Sequence, residues 1–332
     1  MKIVILSNND YAGSAYQIAK AVNLDVNFNT KLIVKNKAGL SHPPDVVIRN
    51  EKNVFKRNKI RALSLRMIEE ADVLHFKGDE YPSLNWCKIN IIHNKPIICT
   101  VSGSGFRRNP DDIPTKVCKC SFPIKEYFSL TALRTTLTPD LNYPEYRGLY
   151  TQQAIDSIPK PFLWKKSEVP LILHSPTKRS KKGTNNIILP ALEILKNEGF
   201  KFKLDIIEGI PYDECVERKK KASIFIDQIS ETGFYGNSSL EAMQYGIPTI
   251  CYISEQAAKQ SNDKITKNCP VINPGNTIES VASKFRHILK SDLTEIAKQT
   301  KKFTDEFHSY EVVGKMWREI YVKTFSEYNS KI

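Results

Sequence analysis

The alternation of short apolar runs with helical segments is the feature that most constrains the fold of this chain. Apolar runs at 2–6, 31–34, 45–49, 72–76 and 96–101 predict buried strands, and helical patterns fall near 13–22 and 54–70. Strands that alternate with helices form parallel sheets covered by helices. The first half of the chain therefore predicts an α/β domain with a doubly wound parallel sheet.

The alternation breaks once and then restarts. The proline-containing, non-periodic stretch "SIPKPFLWKKSEVP" at 157–170 predicts a linker. Strands are then predicted at 169–174, 202–207 and 223–227, with helices at 185–198 and 212–221 between them. Pro190 requires the first of these helices to start late or to kink. We expect two Rossmann-like domains that face a cleft, with ligands outside the carboxyl ends of the strands.

The charge of the chain narrows the choice of partners. The 332 residues carry a formal charge of +13, yet none of the common nucleic-acid signatures is present, so no nucleic acid is expected. No apolar run is long enough for a membrane span, and the first residues do not predict an export signal. The seven scattered cysteines are therefore expected to be reduced thiols in the cytoplasm. The pair at 118 and 120 lacks further ligands at zinc spacing, so no metal is expected there.

One basic segment at 52–68 can be interpreted in two ways. Its helical pattern places Phe55, Ile60, Leu63, Met67 and Ile68 near one face and crowds the remainder with basic residues, namely Lys52, Lys56, Arg57, Lys59, Arg61 and Arg66. Such a helix can lie on anionic lipid, as a peripheral contact with the membrane. A solvated helix that packs on the sheet is the favoured interpretation.

The stretch "GFYGNSSLEAMQYGIPTICY" at 233–252 predicts a binding loop. Ser238 and Glu241 have the spacing of a capping box, which predicts a helix from Ser238 to near Gly246. The apolar run at 249–253 predicts a buried strand. A glycine-rich turn before a helix, beside a parallel strand, is typical of anion sites in α/β proteins.

A second polar turn follows the strand at 169–174. In "SPTKRSKKGT", Lys178, Arg179, Lys181 and Lys182 gather before a helix, and we expect both Arg179 and Lys182 to be exposed loop residues. Guanidinium and ammonium groups in such a turn suit a diphosphate, although a solvated charged loop is the common alternative. The glycine fingerprints of dinucleotide-binding and P-loop enzymes are missing.

Four segments together resemble a known family. They are "HSPTKRSKKGT", "IIEGIPYDE", "SIFIDQISETGFYGNSSLEAMQYGIPTICYI" and "HSYEVVGKMWREIYVKTF", and they resemble the GT-B-fold retaining glycosyltransferases of the family-4 type, also called glycosyl transferases group 1. The resemblance implies an acceptor-side domain over 1–160, a donor-binding domain over 168–305, and a last helix at 308–332 that crosses back to the first domain. It also implies a hexosyltransferase-like enzyme of bacterial surface-polysaccharide synthesis, located in the cytoplasm or peripherally on the inner face of the membrane.

The resemblance also implies roles for particular residues. Arg179 and Lys182 would neutralise the donor's diphosphate, and Glu241 would accept the ribose hydroxyls. The other donor-side residues would be Ile210 and Pro211 near the base, and Gly236, Asn237, Ser238 and Ser239 near the sugar and phosphates. On the acceptor or phosphate side stand Gly13, Ser14, Ser102, Gly103 and Arg107. The substrates would be a nucleotide sugar and a saccharide or lipid-linked acceptor. With no D-x-D motif, neither a metal nor any other cofactor is expected.

Two departures from the family pattern keep other functions open. The first glutamate of the family's E-x7-E motif would stand at Gly233, with Glu231 two residues out of register. Ser102 stands where the family's "HGS" turn has histidine. A catalytically silent nucleotide-sugar-binding protein fits these losses, and a sugar-nucleotide epimerase shares the fold. His75 and His174 both end predicted strands, and we expect each to be packed and hydrogen-bonded rather than catalytic.

Overall fold

The structure is a computed structural model that describes residues 1–10, 13–36, 42–49, 51–78, 85–86, 89–90, 94–101, 131–141, 148–156, 160–230 and 233–331. The chain divides into two compact units. Unit 1 comprises Met1–Asp156 together with Ser309–Ile332, and unit 2 comprises Ser157–His308.

Described helices follow the first and third strands of unit 1 and every strand of unit 2. The strands are β1 (Lys2–Ser7), β2 (Asn29–Val34), β3 (Val46–Val47), β4 (Val73–Lys77), β5 (Asn85–Trp86), β6 (Ile89–Asn90), β7 (Ile97–Val101), β8 (Leu133–Thr136), β9 (Leu149–Tyr150), β10 (Leu171–His174), β11 (Lys203–Ile206), β12 (Ile224–Ile226) and β13 (Thr249–Ile250). The helices are α1 (Ser14–Val22), α2 (Val54–Glu70), α3 (Arg179–Lys182), α4 (Leu189–Asn197), α5 (Tyr212–Lys219), α6 (Asn237–Met243), α7 (Glu255–Gln260), α8 (Asp263–Asn268), α9 (Ile278–Lys290), α10 (Thr294–Phe307) and α11 (Tyr310–Asn329).

Unit 1 is built on one parallel sheet with the strand order β3-β2-β1-β4-β7-β8-β9. The alternating side chains of β1 feed two cores, because Val4 and Leu6 pack on one side of the sheet and Ile3 and Ile5 on the other. The strands β1, β4 and β7 are buried on both faces, which explains why they are mainly apolar.

The last helix, α11, packs on the same side of the unit 1 sheet as α1. Its Trp317 and Tyr321 are fully buried in the core that holds Ile3 and Ile5. The two helices approach closely at Gly314, where an added Cβ would overlap the carbonyl oxygen of Ala21. The close approach explains why glycine stands in the middle of a long helix.

Helix α2 covers the opposite side of the unit 1 sheet. Ser64 and Ile68 are its buried residues, and Ile60 and Met67 pack beside them. The predicted apolar face is wrong in part, because Phe55 and Leu63 point to solvent instead of the core. Its buried residues lie against the sheet, as the favoured interpretation expected, and two apolar side chains remain on its outer surface.

Unit 2 contains a four-stranded parallel sheet with the order β11-β10-β12-β13. Pro190 is the second residue of α4, which begins late after a π-helical turn at Thr184–Ile188. This position tolerates proline because the first turn of a helix has no partner for its backbone N–H groups. Two helix-covered parallel sheets confirm the predicted α/β class with two Rossmann-like domains. Within the described ranges, no helix has the length and apolar character needed to cross a membrane.

Candidate functional site

Asp227 is the central acidic group at the carboxyl end of the unit 2 sheet. It directly follows β12, and its carboxylate accepts a hydrogen bond from the Ser239 hydroxyl at 2.7 Å. The Lys182 ammonium lies 2.5 Å from its Oδ1 atom. Burial alone would raise the pKa of Asp227, but the charge and hydrogen bonds of its neighbours outweigh that effect and hold the pKa below its ordinary value.

Lys182 is the last residue of the short helix α3 rather than part of an exposed loop, which corrects the expectation for this side chain. Only 19% of the side chain is exposed. Its ammonium donates to Asp227 and to the Gln228 side chain. Because an ammonium has three N–H donors, one donor remains for a further acceptor.

Arg179 opens the same short helix, so it also is not a loop residue, and its side chain is 40% exposed. Its Nε and Nη2 atoms form a fork with the Glu208 carboxylate at 2.6 to 3.0 Å. These hydrogen bonds and the guanidinium charge lower the pKa of Glu208. Among the described residues no partner contacts its Nη1 atom, so Arg179 keeps donors for a second anion.

The predicted capping box at Ser238 and Glu241 is wrong. Helix α6 begins at Asn237, Gly236 precedes it as the N-cap residue, and no side chain caps it. The Glu241 carboxylate instead accepts a hydrogen bond from the ammonium of Lys219 at 2.5 Å. The Ser238 hydroxyl contacts the same ammonium at 2.9 Å. A partner from another helix has replaced the local partner that the spacing suggested.

The remaining predicted donor residues lie around the same end of the sheet. Ile210 and Pro211 connect β11 to α5, and Pro211 is the N-cap residue of that helix. The next residue, Tyr212, has a pKa that is raised first by burial and then by the negative charge of Glu241. The Ser238 hydroxyl also lies 3.1 Å from that of Ser175, just beyond β10. The structure thus brings the loops after β10, β11 and β12 together.

Gly233 could not carry the first glutamate of the E-x7-E motif in this backbone. An added Cβ at Gly233 would overlap the carbonyl oxygen of Tyr252. Glu231 lies outside the described residues. The carboxylate that this loop does contact is Asp227, which also accepts from the Gly236 backbone N–H at 3.4 Å.

On unit 1, Gly13 is the N-cap residue of α1 and Ser14 is its first residue. The carboxylate of Asp10 accepts the backbone N–H groups of Ala15 and Tyr16, so this helix terminus already holds an internal anion. Whether Gly13 and Ser14 meet a substrate stays a prediction. Three residues of the same predicted set, Ser102, Gly103 and Arg107, lie outside the described residues.

Both histidines are packed and hydrogen-bonded, as expected, but only His174 ends a strand, because His75 is the third residue of β4. The ring of His174 contacts the Ile226 carbonyl and the Thr184 hydroxyl at 2.9 and 2.7 Å. The ring of His75 lies between the Tyr321 and Thr100 hydroxyls. Burial lowers the pKa of each ring, so both are neutral near pH 7.

Two residues of the unit 2 site, Asp227 and Lys219, were missed by the sequence analysis. Asp227 was included in a strand, although a polar residue directly after a buried apolar run is a signal for a site at a strand end. Lys219 lies in the basic run "RKKK", a pattern that indicates solvent-exposed charges. A helical signal exists for it, because Tyr212, Val216 and Lys219 share one face of α5.

Within the described part of the chain, no group of three or more histidine, cysteine, aspartate or glutamate residues is placed to hold a metal ion. The acidic side chains at this edge, Glu208, Asp227 and Glu241, each face a cation of the protein itself.

Comparison with solved structures identifies the fold. The chain is similar to a glycosyltransferase from Rickettsia africae ESF-5, at 15% sequence identity over 97% of this chain and 98% of that chain, with a TM-score of 0.63. It is similar to an alpha-glucosyltransferase in complex with UDP, at 11% identity over 97% and 100% of the two chains, with a TM-score of 0.63.

A third similar structure is a UDP-GlcNAc 2-epimerase from Neisseria meningitidis bound to UDP-GlcNAc, at 14% identity over 97% and 100% of the two chains, with a TM-score of 0.53. No family model and no curated protein matches the chain. At these identities the likeness shows the fold alone, and that fold is GT-B, with two Rossmann-like domains.

Proposed function

We propose that this chain is a glycosyltransferase that moves a sugar from a nucleoside-diphosphate donor to a saccharide or a lipid-linked acceptor, with retention of configuration. The observation that carries the proposal is the convergence of Arg179, Lys182 and Glu241 at the carboxyl end of the unit 2 sheet. The names of the similar structures, two of them transferases and one of them an epimerase bound to UDP-GlcNAc, support the same substrate class.

The charges suit the departure of a diphosphate. When a sugar leaves its anomeric carbon, negative charge builds on the leaving phosphates, and fixed cations lower the barrier. Lys182 is held by Asp227 and Arg179 by Glu208, so each cation is oriented before a ligand arrives. Each keeps at least one free donor among the described residues, which could contact phosphate oxygens without breaking these pairs.

Other residues would bind and orient the donor. Glu241 would accept the ribose hydroxyls, and the backbone at Ile210 and Pro211 would lie along the base. Gly236, Asn237, Ser238 and Ser239 would face the sugar and phosphates. On the acceptor side, Gly13 and Ser14 remain candidates.

The experiment is an assay of nucleoside diphosphate release from a panel of UDP-, GDP- and ADP-sugars, with and without saccharide and lipid-diphosphate-linked acceptors. A transferase releases nucleotide only when acceptor is present, and the product's anomeric configuration, read by NMR, tests retention. Conversion of the nucleotide sugar to its epimer without acceptor, and without net release of nucleotide, would favour an epimerase, the activity named for one similar structure. Binding of a nucleotide sugar without turnover would favour a silent relative, which the backbone at Gly233 also suits.

Metal independence is part of the proposal, because the cationic work is assigned to Arg179 and Lys182. We expect turnover to survive an excess of chelator. Loss of turnover that only magnesium or manganese restores would contradict this assignment. The same panel tests the proposed place in surface-polysaccharide synthesis, because such an enzyme should turn over with a saccharide or a lipid-linked acceptor.

We also propose that α2 contacts an anionic bilayer, which would suit a lipid-linked acceptor. Phe55 is 81% exposed and Leu63 is 47% exposed on its outer surface. No acidic residue occurs between 52 and 68, where six basic residues lie. Sedimentation with phosphatidylglycerol vesicles should exceed that with phosphatidylcholine vesicles and should fall in Phe55→Ser. Equal sedimentation with both vesicles would leave only a solvated helix.

A further inference from the structure

Lys219 is an unusual lysine because it is buried at the site. It is the last residue of α5, and its relative exposure is 1%. Its ammonium lies 2.5 Å from Oε2 of Glu241 and 2.9 Å from the Ser238 hydroxyl. It also lies 5.2 Å from the centre of the Phe225 ring. Lysine is almost never fully buried unless it is paired, so the pairing with Glu241 accounts for its position.

The lysine approaches Glu241 from the interior of unit 2. The Glu241 side chain is 13% exposed while that of Lys219 is 2% exposed, so the carboxylate stands between the ammonium and solvent. The ammonium occupies Oε2, and among the described residues Oε1 has no hydrogen-bond partner. Oε1 is therefore available to accept a hydrogen bond from an incoming hydroxyl.

A carboxylate in this position needs a buried cation to bind a sugar hydroxyl well. A ligand that covers Glu241 removes its remaining contact with water, and a dehydrated carboxylate without a counter-ion is costly. Lys219 supplies that counter-ion in the free protein, so the ionised carboxylate is already oriented when the ligand arrives. A hydrogen bond to a charged acceptor is also stronger than one to a neutral acceptor.

We infer that Lys219 is a positioning residue of the nucleotide site, which fixes the Glu241 carboxylate and thereby sets the preference for a ribonucleotide over a 2′-deoxyribonucleotide. The inference rests on the proposed function, because it deepens the role of Glu241 there. Lys219 acts through Glu241 and Ser238 and does not itself contact the ligand. The preference depends on the ribose hydroxyl groups alone, so Lys219 does not affect the affinity for a ligand that lacks a sugar.

The experiment measures dissociation constants by isothermal titration calorimetry. The probes are UDP, GDP, ADP and CDP, each beside its 2′-deoxy counterpart, and inorganic pyrophosphate as a ligand without ribose. In the wild-type protein, the best-bound ribonucleotide should bind about tenfold or more tightly than its 2′-deoxy counterpart, which is the loss expected for one hydrogen bond to a charged group. Pyrophosphate should bind through Arg179 and Lys182.

The decisive variant is Lys219→Met. We expect its affinity for the ribonucleotide to fall about tenfold, so that ribo- and deoxyribonucleotide bind almost equally, while its affinity for pyrophosphate is unchanged. A general loss of folding would weaken all three ligands together. Lys219→Arg keeps the charge and should restore part of the ribose preference. Lys221→Met is the matched control, since Lys221 is an exposed lysine two residues away and should leave every constant unchanged.

A double variant keeps the inference testable if Lys219→Met folds poorly. Lys219→Met/Glu241→Gln removes both charges of the pair, so no uncompensated ion is buried. If Lys219 acts only through Glu241, the double variant and Glu241→Gln alone should show the same reduced ribose preference.

The outcomes separate the two proposals. A wild-type protein that binds none of the nucleoside diphosphates would overturn the proposed function and this inference with it. A wild-type protein that prefers ribonucleotides, together with a Lys219→Met variant that keeps the full preference, would overturn the role of Lys219 alone. Equal weakening of pyrophosphate and nucleotide in Lys219→Met would reduce Lys219 to a stabilising residue.

Discussion

Each unit places a lysine–aspartate pair at the carboxyl ends of its parallel strands, but the two pairs differ in access to solvent. In unit 1 the Lys77 ammonium lies 3.2 Å from Asp10, and the side chains are 7% and 3% exposed. In unit 2 the Lys182 ammonium lies 2.5 Å from Asp227, and the side chains are 19% and 1% exposed. The aspartates are equally buried, whereas only the second lysine reaches the surface.

The difference in exposure determines what each pair can do. Both carboxylate oxygens of Asp10 are used within unit 1, because they accept two backbone N–H groups of α1 as well as the Lys77 ammonium. Its pair is closed, and its contribution is to the stability of unit 1. Lys182 keeps a donor and a partly exposed surface, so its pair is oriented by the protein and still open to an anion. The same strand-end arrangement thus supports structure in one unit and a candidate site in the other.

The largest expected effect tests the closed pair. Asp10→Ala leaves the buried Lys77 without its partner and removes the cap of α1, and such a loss costs about 3 to 5 kcal/mol of unfolding free energy. Nucleotide binding by the folded fraction should not change, because the site proposed for it lies in unit 2. The measurement is urea unfolding followed by fluorescence, together with calorimetric titration of UDP.

The matched control for this prediction is Glu70→Ala. Glu70 pairs with Lys2 and Arg66 at the surface of the same unit, so its loss should change stability little. If Asp10→Ala were as stable as Glu70→Ala, or if it abolished nucleotide binding while still folded, the contrast between the closed and open pairs would not hold.

The second expected effect uses the pH dependence of unit 1. Burial, followed by the charge of Lys77, lowers the pKa of His75 from 6.5 to about 3. Between these values the unfolded chain binds a proton that the folded chain does not, so stability is lost as the pH falls from 6.5 towards 3. One such proton contributes a slope of about 1.4 kcal/mol per pH unit.

The variant His75→Gln should therefore show a shallower loss of stability between pH 6 and pH 4 than the wild-type protein. Trp317 is a suitable reporter, because its ring lies 4.8 Å from the His75 ring. His174→Gln gives the comparison in unit 2, where the carbonyl of Ile226 and the charge of Asp227 partly oppose the effect of burial on the pKa. Its effect on the slope should be smaller. Identical slopes in all three proteins would show that neither ring titrates with unfolding.

Much of the fold was predictable because buried parallel strands are continuous apolar runs. The strands β1, β4 and β7 fall within one or two residues of their predicted positions. The strand β8, with the sequence "LRTT", was missed because its polar residues give no apolar run. Its Thr135 hydroxyl contacts that of Thr100 inside the sheet, a pairing that only the tertiary structure reveals.

The candidate site was predictable where polar residues directly follow a strand. It was not predictable where the contact of a side chain depends on a partner distant in sequence. The basic turn after β10 singled out Arg179 and Lys182, whose contact with a ligand stays a prediction. The prediction that Glu241 caps its helix was wrong. The spacing from Ser238 fits a capping box, but the actual partner, Lys219, comes from another helix. Burial of that lysine depends on the position of α5 against α6, which local sequence does not contain.

The smallest expected effect on stability tests the open edge of unit 2. The Arg179 and Glu208 side chains are each 40% exposed, so water and salt screen their pair and Arg179→Ala should melt close to the wild-type temperature. The same variant should bind pyrophosphate about tenfold more weakly, because a charged donor to phosphate is lost and Glu208 remains to repel the anion.

Glu208→Gln is the matched control, since it keeps the guanidinium while removing the negative charge, and it should bind pyrophosphate at least as tightly as the wild-type protein. Thermal melts and calorimetric titrations of the three proteins at one salt concentration supply the comparison. Unchanged pyrophosphate affinity in Arg179→Ala would leave this cation as a solvated charge and would place the diphosphate on Lys182 alone.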